Sequence, residues 1–344
     1  MDADPARDKA PTGDRPVRTS LWKRIALFVA SIVVALIAGE LVFRVVDATP
    51  PFPVAKSLEV LQPGQKMRHF DLDPVLGYRP RLGPSNPYDE RGLRRPAPGS
   101  EKEGAGRRVL FLGDSVAAHG QLIKGIRNAY ADQPIDALNA GIDGYNVVQE
   151  RLYYEQHFTE LPVTQVVLVL HANDLTNSLM LYPTDQGYLF WYFFGVEPVV
   201  VNPTMLKWSY IYRRYLMVKW KTTTERVNKD PRLFAETEKS FGELAAALGR
   251  RGVPFRVIMF PLLLPFDSWD GATRARWQRL KVVFDELKVE YTDLYPVVAA
   301  ALPEGRIPAN AEAAWKSGFD YWHPDQPMAD RMGALIRTEG LLDP

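Results

Sequence analysis

The stretch Arg108–Ser115, RVLFLGDS, places four apolar residues, Val109 to Leu112, directly before Gly, Asp and Ser. It reads as a short buried strand that ends in a turn, and the ordered domain begins near it, at Arg107. Similar β-rich stretches recur as IDALNAG (135–141), VTQVVLVLHAND (163–174), PFRVIMFPLL (254–263) and VEYTDLYP (289–296). Segments with helical periodicity lie between most of them, at Val147–Glu160, Leu233–Arg251 and Arg274–Lys288. Short buried strands alternating with helices predict a parallel sheet covered on both faces, a three-layer α/β/α sandwich. In such sheets a site forms at the carboxyl ends of the strands, where the polar turns of this chain fall.

Ser115 is the first of these polar residues. A Ser just before a helix is commonly an N-cap, and RVLFLGDS alone favours that reading. A catalytic Ser needs a neighbouring base, and the base needs a third group to fix its tautomer. Asp320-Tyr321-Trp322-His323-Pro324-Asp325 can supply both, because an Asp three residues before a His on one tight turn can accept from one ring nitrogen and leave the other free. Taken alone, His323 is more often a surface or core histidine. Two further polar turns close predicted strands, Asn139-Ala140-Gly141-Ile142-Asp143-Gly144-Tyr145-Asn146 and His171-Ala172-Asn173-Asp174. A Gly N–H and an Asn amide are donor types that can bind an oxyanion, and also the types that relieve positive φ and cap loops.

The four turns G-D-S, N-A-G-I-D-G, x-x-N-D and D-x-x-H-P together resemble the blocks of the GDSL or SGNH hydrolase family, over about residues 107–340 without the insertion. DPVLGYRP (73–80) and NPYDERGLR (86–94), ahead of GDS, look like its membrane-anchored bacterial branch. The resemblance implies a flavodoxin-like fold around a five-stranded parallel sheet and a serine esterase that needs no metal or organic cofactor. It implies Ser115 as nucleophile and, through its N–H, first oxyanion donor. Gly144 matches the backbone donor, Asn173 the side-chain donor, and Asp320 and His323 the rest of the triad. The implied substrate is an acyl or acetyl ester, carried by a glycan or a lipid. The same site could pass its acyl group to a sugar hydroxyl, and a non-catalytic envelope binding module is a third reading. His171 stands where the family often has Gly, and Asp325 where it often has Asn. Asp325 can cap a closing helix over Gln326–Arg337, with Pro327 in its first turn. Asp114 and Asp174 read as structural hydrogen-bonding groups ahead of proton-transfer groups, and His119 as a helix-face residue.

Composition narrows the chemistry. With 42 Lys+Arg against 41 Asp+Glu the formal charge is +1, so no whole-protein field attracts nucleic acid. There is no cysteine, and His69, His119, His157, His171 and His323 show no short-range ligand spacing. Oxygen nucleophiles, carboxylates and imidazole remain.

Ile25–Gly39, IALFVASIVVALIAG, continues past Glu40 to Phe43, an apolar run of roughly 19 residues where about 20 cross a bilayer core. No small-residue cleavage site follows clearly, which favours a retained anchor over a cleaved signal, with a buried core helix as the bland alternative. Arg7, Lys9, Arg15, Arg18, Lys23 and Arg24 precede the run, while only Arg44 and Lys56 follow closely. The N-terminus is therefore expected in the cytoplasm and the rest outside, periplasmic or extracellular.

The expected organisation is a disordered tail at 1–20, the anchor at 21–46, a stalk and turn-rich loop layer at 47–106, and the hydrolase-like domain at 107–344. Residues 175–232 form an insertion too long for an ordinary connection, crowded with aromatics between Tyr182 and Tyr215. Those rings pack on the domain or rest at the lipid interface in one reading and line the substrate in another. If Asn173 is the side-chain oxyanion donor, Asn173→Ala should lower turnover by about 10²–10³, read as kcat on a purified ester-cleaving preparation.

Overall fold

The structure is a computed structural model that describes residues 21–46, 70–95, 107–172, 174–175, 180–183, 189–193, 196–228 and 231–343. The expected tail at 1–20, the stalk at 47–60, His69 and Asn173 lie outside the described residues. In chain order the described elements begin with helix α1 (Leu21–Val46), strands β1 (Phe70–Asp73), β2 (Gly77–Pro80) and β3 (Arg107–Gly113), and helices α2 (Ser115–His119) and α3 (Gln121–Ala129). Then come β4 (Ile135–Asn139), α4 (Val147–His157), β5 (Gln165–His171), β6 (Met180–Pro183), β7 (Leu189–Phe193) and β8 (Val196–Val201). The chain continues through α5 (Pro203–Trp208), α6 (Tyr210–Asn228), α7 (Pro231–Arg250), β9 (Phe255–Phe260), α8 (Gly271–Leu287) and β10 (Glu290–Asp293). It closes with α9 (Tyr295–Ala301), α10 (Ala311–Ser317) and α11 (Gln326–Thr338).

Five strands form a parallel sheet in the order β10-β9-β5-β3-β4. Counted along the chain, that is the 2-1-3-4-5 order of the flavodoxin-like fold. All seven residues of β5 are buried, as a central strand covered on both faces requires. The two-residue period of the strands divides the core. Leu110, Leu112, Val166, Leu168, Leu170, Val257 and Met259 face one layer, with Tyr153 and Tyr154 of α4, Phe241 and Leu244 of α7, and Trp277 and Phe284 of α8. Val109, Phe111, Val167, Val169, Ile258 and Phe260 face the other, with Leu122 and Ile126 of α3, Val298 of α9, and Met332 and Ile336 of α11. The fold is therefore the expected α/β/α sandwich, and its strand order puts the switch of direction between β3 and β5.

Residues 70–95, expected as a turn-rich layer, include an antiparallel pair, β1 with β2. Between β5 and α7 the described part of the expected insertion holds a three-stranded antiparallel sheet, β6-β7-β8, and the helices α5 and α6. α1 is long and apolar enough to cross a membrane, and none of its residues is buried.

Helices α3 and α11 touch backbone to backbone. A Cβ at Gly125 would lie 2.2 Å from the Ala329 carbonyl oxygen, and one at Gly333 would lie 2.3 Å from that of Gly125. Both helices pack into the core layer that holds Val109 and Phe111, which limits how far either can yield. Gly125→Ala and Gly333→Ala should each destabilise the protein by about 1–3 kcal/mol in urea unfolding. Gly249→Ala in α7, where a Cβ meets nothing within 4 Å, should instead be neutral or gain up to about 1 kcal/mol.

Candidate active site

The site begins where β3 ends. Gly113 has φ +150°, and a Cβ there would lie 2.8 Å from the Val169 carbonyl oxygen and 2.9 Å from Ala117 Cβ. Only glycine lets the chain turn this tightly against β5 and enter α2 at once. The N-cap of α2 is Asp114, whose carboxylate accepts the Val116 N–H at 2.9 Å. Ser115 is therefore not the cap that the motif alone suggested. Its hydroxyl is left on the first turn of α2, 2.9 Å from His323 Nε2 and 3.3 Å from an Asp114 oxygen.

His323 is held from its other side. Its Nδ1 is 2.8 Å from Asp320 Oδ2, while Asp320 Oδ1 accepts the N–H groups of Trp322 (2.9 Å) and His323 (3.2 Å). One carboxylate thus fixes both the turn and the ring. The Leu263 N–H donates to the Tyr321 carbonyl at 2.9 Å, tying the turn to the segment after β9. Asp325 caps α11 through the Met328 N–H at 2.9 Å, as its place before Pro327 predicted.

Desolvation pushes the Asp320 carboxyl up, but hydrogen bonds from the His323 ring and from the Trp322 N–H outweigh it and hold it below its ordinary value. At His323 desolvation favours the neutral ring, yet the hydrogen bond and charge of Asp320, aided by Asp114 and Asp143, raise its pKa above the usual imidazole value. The pair is set for an ionised carboxylate beside an imidazole that accepts a proton readily.

The turn that carries Gly144 hangs from the same strand end. The Ala140 N–H donates to the Phe111 carbonyl at 2.8 Å and the Ile142 N–H to that of Gly113 at 2.9 Å. Gly141 packs on α2 so closely that a Cβ would lie 2.4 Å from Ala118 N, and Asn139 Nδ2 donates to the Ala117 carbonyl at 2.8 Å. Gly144 takes φ +76°, and Asn146 closes the turn as the N-cap of α4 in a capping box with Gln149.

Residues 70–95 grip this turn from outside. The hydroxyls of Tyr78 and Tyr88 donate to the Asp143 and Gly141 carbonyls at 2.9 and 3.0 Å, and that of Tyr145 donates to the Tyr78 carbonyl at 2.6 Å. Burial raises the Tyr88 and Tyr145 phenols above their ordinary value, which keeps both as neutral donors.

His119 was read only as a helix-face residue. Its ring lies 4.3 Å from that of His323, tilted by 35°, and its Nε2 is 3.5 Å from Asp143 Oδ1. The signal was in the spacing, since His119 follows Ser115 by four residues and so shares its helix face. His171 is fully buried beneath the site, its Nδ1 3.6 Å from Asp114 Oδ2 and its ring 5.5 Å from that of Trp322. Asn173, expected to point its amide at the site, lies outside the described residues, between Ala172 and Asp174. Among the described residues no group of three or more His, Asp or Glu side chains is arranged to hold a metal ion.

Three carboxyl groups, Asp114, Glu150 and Asp174, are buried behind Ser115. Asp174 accepts the His171 N–H at 2.7 Å, a structural bond that closes the turn after β5. Burial first, and then the Asp114 charge, raise Glu150 well above the ordinary carboxyl value; Asp174 is raised likewise, with Glu150 adding to the effect. Burial thus favours the neutral form of both.

No family model and no curated protein matches this chain. Several solved structures are similar to it at low identity. Axe2, an acetylxylan esterase from Geobacillus stearothermophilus, is 16% identical with a TM-score of 0.43, covering 70% of this chain and 97% of that one. The acetyl xylan esterase AlAXEase is 14% identical with a TM-score of 0.43, covering 67% and 98%. A lipase/acylhydrolase from Enterococcus faecalis is 14% identical with a TM-score of 0.40, covering 68% and 95%. Likeness of this degree carries no weight for the site, which stands on the distances above.

Glu150 gives a pH prediction with a definite sign. A carboxyl whose folded pKa is raised stabilises the fold fully below its unfolded value, and that stability is lost as pH rises toward the folded pKa. Glu150→Gln keeps the shape and cannot ionise. It should melt at a higher temperature than the parent at neutral pH, with the gap closing as the pH falls to the ordinary glutamate range.

Proposed function

We propose that this chain is a serine ester hydrolase of the GDSL/SGNH type. The observation that supports this most is the continuous line Ser115 Oγ, His323 Nε2, His323 Nδ1, Asp320 Oδ2, with contacts of 2.9 and 2.8 Å, at the switch point of a flavodoxin-ordered sheet.

In this reading Ser115 Oγ attacks the carbonyl carbon of an acyl or acetyl ester while His323 Nε2 takes the hydroxyl proton. Asp320 stabilises the imidazolium. The developing oxyanion is met by the N–H groups of Ser115 and Gly144 and by the Asn173 amide. Collapse of the tetrahedral intermediate expels the alcohol, which takes its proton from His323, and leaves an acyl-Ser115 ester. Water, deprotonated by His323, then attacks that ester, and His323 returns the proton to the departing Ser115 Oγ as the acid is released. The raised pKa of His323 suits the acid role in the first half, and its ionised Asp320 partner suits the base role in the second.

α1 and the basic residues before it support a reading of location as well. The reading is a retained single-pass anchor with the N-terminus in the cytoplasm and the site outside, where acylated glycans or lipids of the envelope are the candidate substrates. A sugar hydroxyl could replace water as the acceptor with the same base, so the assay must resolve products.

The test is made on the purified protein. A fluorophosphonate probe should label the parent chain and not Ser115→Ala, and p-nitrophenyl acetate hydrolysis should fall with it. Asp320→Asn should lower kcat by about 10³–10⁴. It should also move the acid limb of the rate profile to lower pH, because the main upward pull on the His323 pKa is gone. Unlabelled parent protein with hydrolysis unaffected by Ser115→Ala would sink the reading. Addition of a glycan acceptor separates free acetate from acetylated glycan as the product.

A further inference from the structure

The site leaves unexplained a carboxylate near the end of α1. Glu40 lies in the apolar helix, yet it is bound to a segment far along the chain. It accepts from the Tyr210 N–H at 2.8 Å, from the Ile211 N–H at 3.1 Å and from the Ser209 hydroxyl at 3.1 Å. These are the groups that open α6, so a side chain of one helix caps the start of another. Arg44 completes the joint, 3.3 Å from Glu40, donating to the Trp208 carbonyl at 3.2 Å and lying over the Tyr210 ring. On α1 only Gly39, Glu40 and Phe43 are even partly shielded, which places the crossing in its last two turns and leaves the rest of the helix bare.

We propose that Glu40 joins the outer end of a membrane span to α6 and thereby lays α5 and the start of α6 on the surface of the same bilayer. The inference rests on α1 being retained as a span, and it adds a lipid contact made by the folded domain itself. An apolar run of about 19 residues rises about 28 Å, close to the thickness of a hydrocarbon core. Glu40 is then within about a turn of the outer boundary, and whatever it binds sits at headgroup depth. An unpaired carboxylate there is unfavourable, as are the free N–H groups of a helix start, and each satisfies the other.

The chemistry of α5 and α6 fits an anionic phospholipid surface. Met205 and Trp208 are exposed on α5, Trp208 at 63%, and the Lys207 ammonium lies 5.3 Å from the Trp208 ring. Tyr215 and Val218 continue the exposed apolar set on α6, with Lys219 over Tyr215. Residues 203–228 hold Lys207, Arg213, Arg214, Lys219, Lys221 and Arg226 against Glu225 alone. Exposed aromatic and apolar groups beside cations are what an interfacial helix presents to lipid headgroups.

The absence of cysteine makes the test direct. Full-length Met205→Cys, Trp208→Cys and Trp315→Cys, each labelled with an environment-sensitive nitrobenzoxadiazole, are reconstituted into phosphatidylethanolamine/phosphatidylglycerol vesicles. Trp315 is the control, being exposed on α10. The proposal expects blue-shifted emission, quenched by headgroup-level nitroxide lipid, at 205 and 208 and not at 315. Adding Glu40→Ala, or Glu40→Gln with less disturbance of packing, should return the two probes toward aqueous emission while the protein stays with the vesicles through alkaline carbonate. Water-like emission at 205 and 208 from vesicle-bound parent protein overturns the joint and leaves the anchor standing. Release of the parent protein by carbonate overturns the anchor, and the joint with it.

Discussion

The closeness of β3 to β5 at their carboxyl ends governs this molecule. With the Val169 carbonyl pressed against Gly113, no side chain fits at the strand end, and the chain must leave it abruptly. The abruptness has three results. Asp114 falls at the N-cap and accepts the Val116 N–H, the second of α2. Ser115 falls on the first turn with its hydroxyl uncommitted to capping. The carbonyls of Phe111 and Gly113 remain to suspend the turn from Asn139 to Tyr145. The position of Ser115, the proposed nucleophile, and the turn that carries Gly144 are thus two products of one backbone constraint.

The carboxyl groups around this point are sorted by solvent. Asp320, more than half exposed and bonded by a ring and two N–H groups, stays ionised and can hold an imidazolium. Glu150 and Asp174, buried with a third carboxyl close by, are pushed toward the neutral form. Identical chemistry gives an electrostatic partner on one side of Ser115 and an uncharged packing layer on the other. Tyr88 works the same way from outside, since burial keeps its hydroxyl a donor to the turn. The segment of residues 70–95 therefore acts on the geometry of the site through hydrogen bonds to the carbonyls of the turn.

Much was legible in the sequence because its causes are local. A parallel strand buried on both faces must be continuously apolar, so β3, β5 and β9 announce themselves, and Val147–Glu160 and Arg274–Lys288 show a helical period because each buries one stripe. Asp320 and His323 are three residues apart, and a single turn brings them together. Asp325 and Pro327 mark a helix start for reasons confined to one turn.

Other features are set between segments that the sequence holds far apart. The 2-1-3-4-5 strand order depends on which crossovers pack, and no strand encodes its neighbour. The 2.9 Å contact of Ser115 with His323 joins residues 208 apart, and it brings the His119 ring, on the same face of α2, within 4.3 Å of that of His323. RVLFLGDS alone favours Ser115 as the cap of α2; the structure gives that place to Asp114, because the strand exit at Gly113 sets Ser115 one residue inside the helix. By itself the sequence determined the layers, the apolar helix and the residue types of a candidate site. Tertiary structure alone decided their distances, their protonation and the junction of Glu40 with α6, since these arise from burial and from contacts that exist only once distant segments meet.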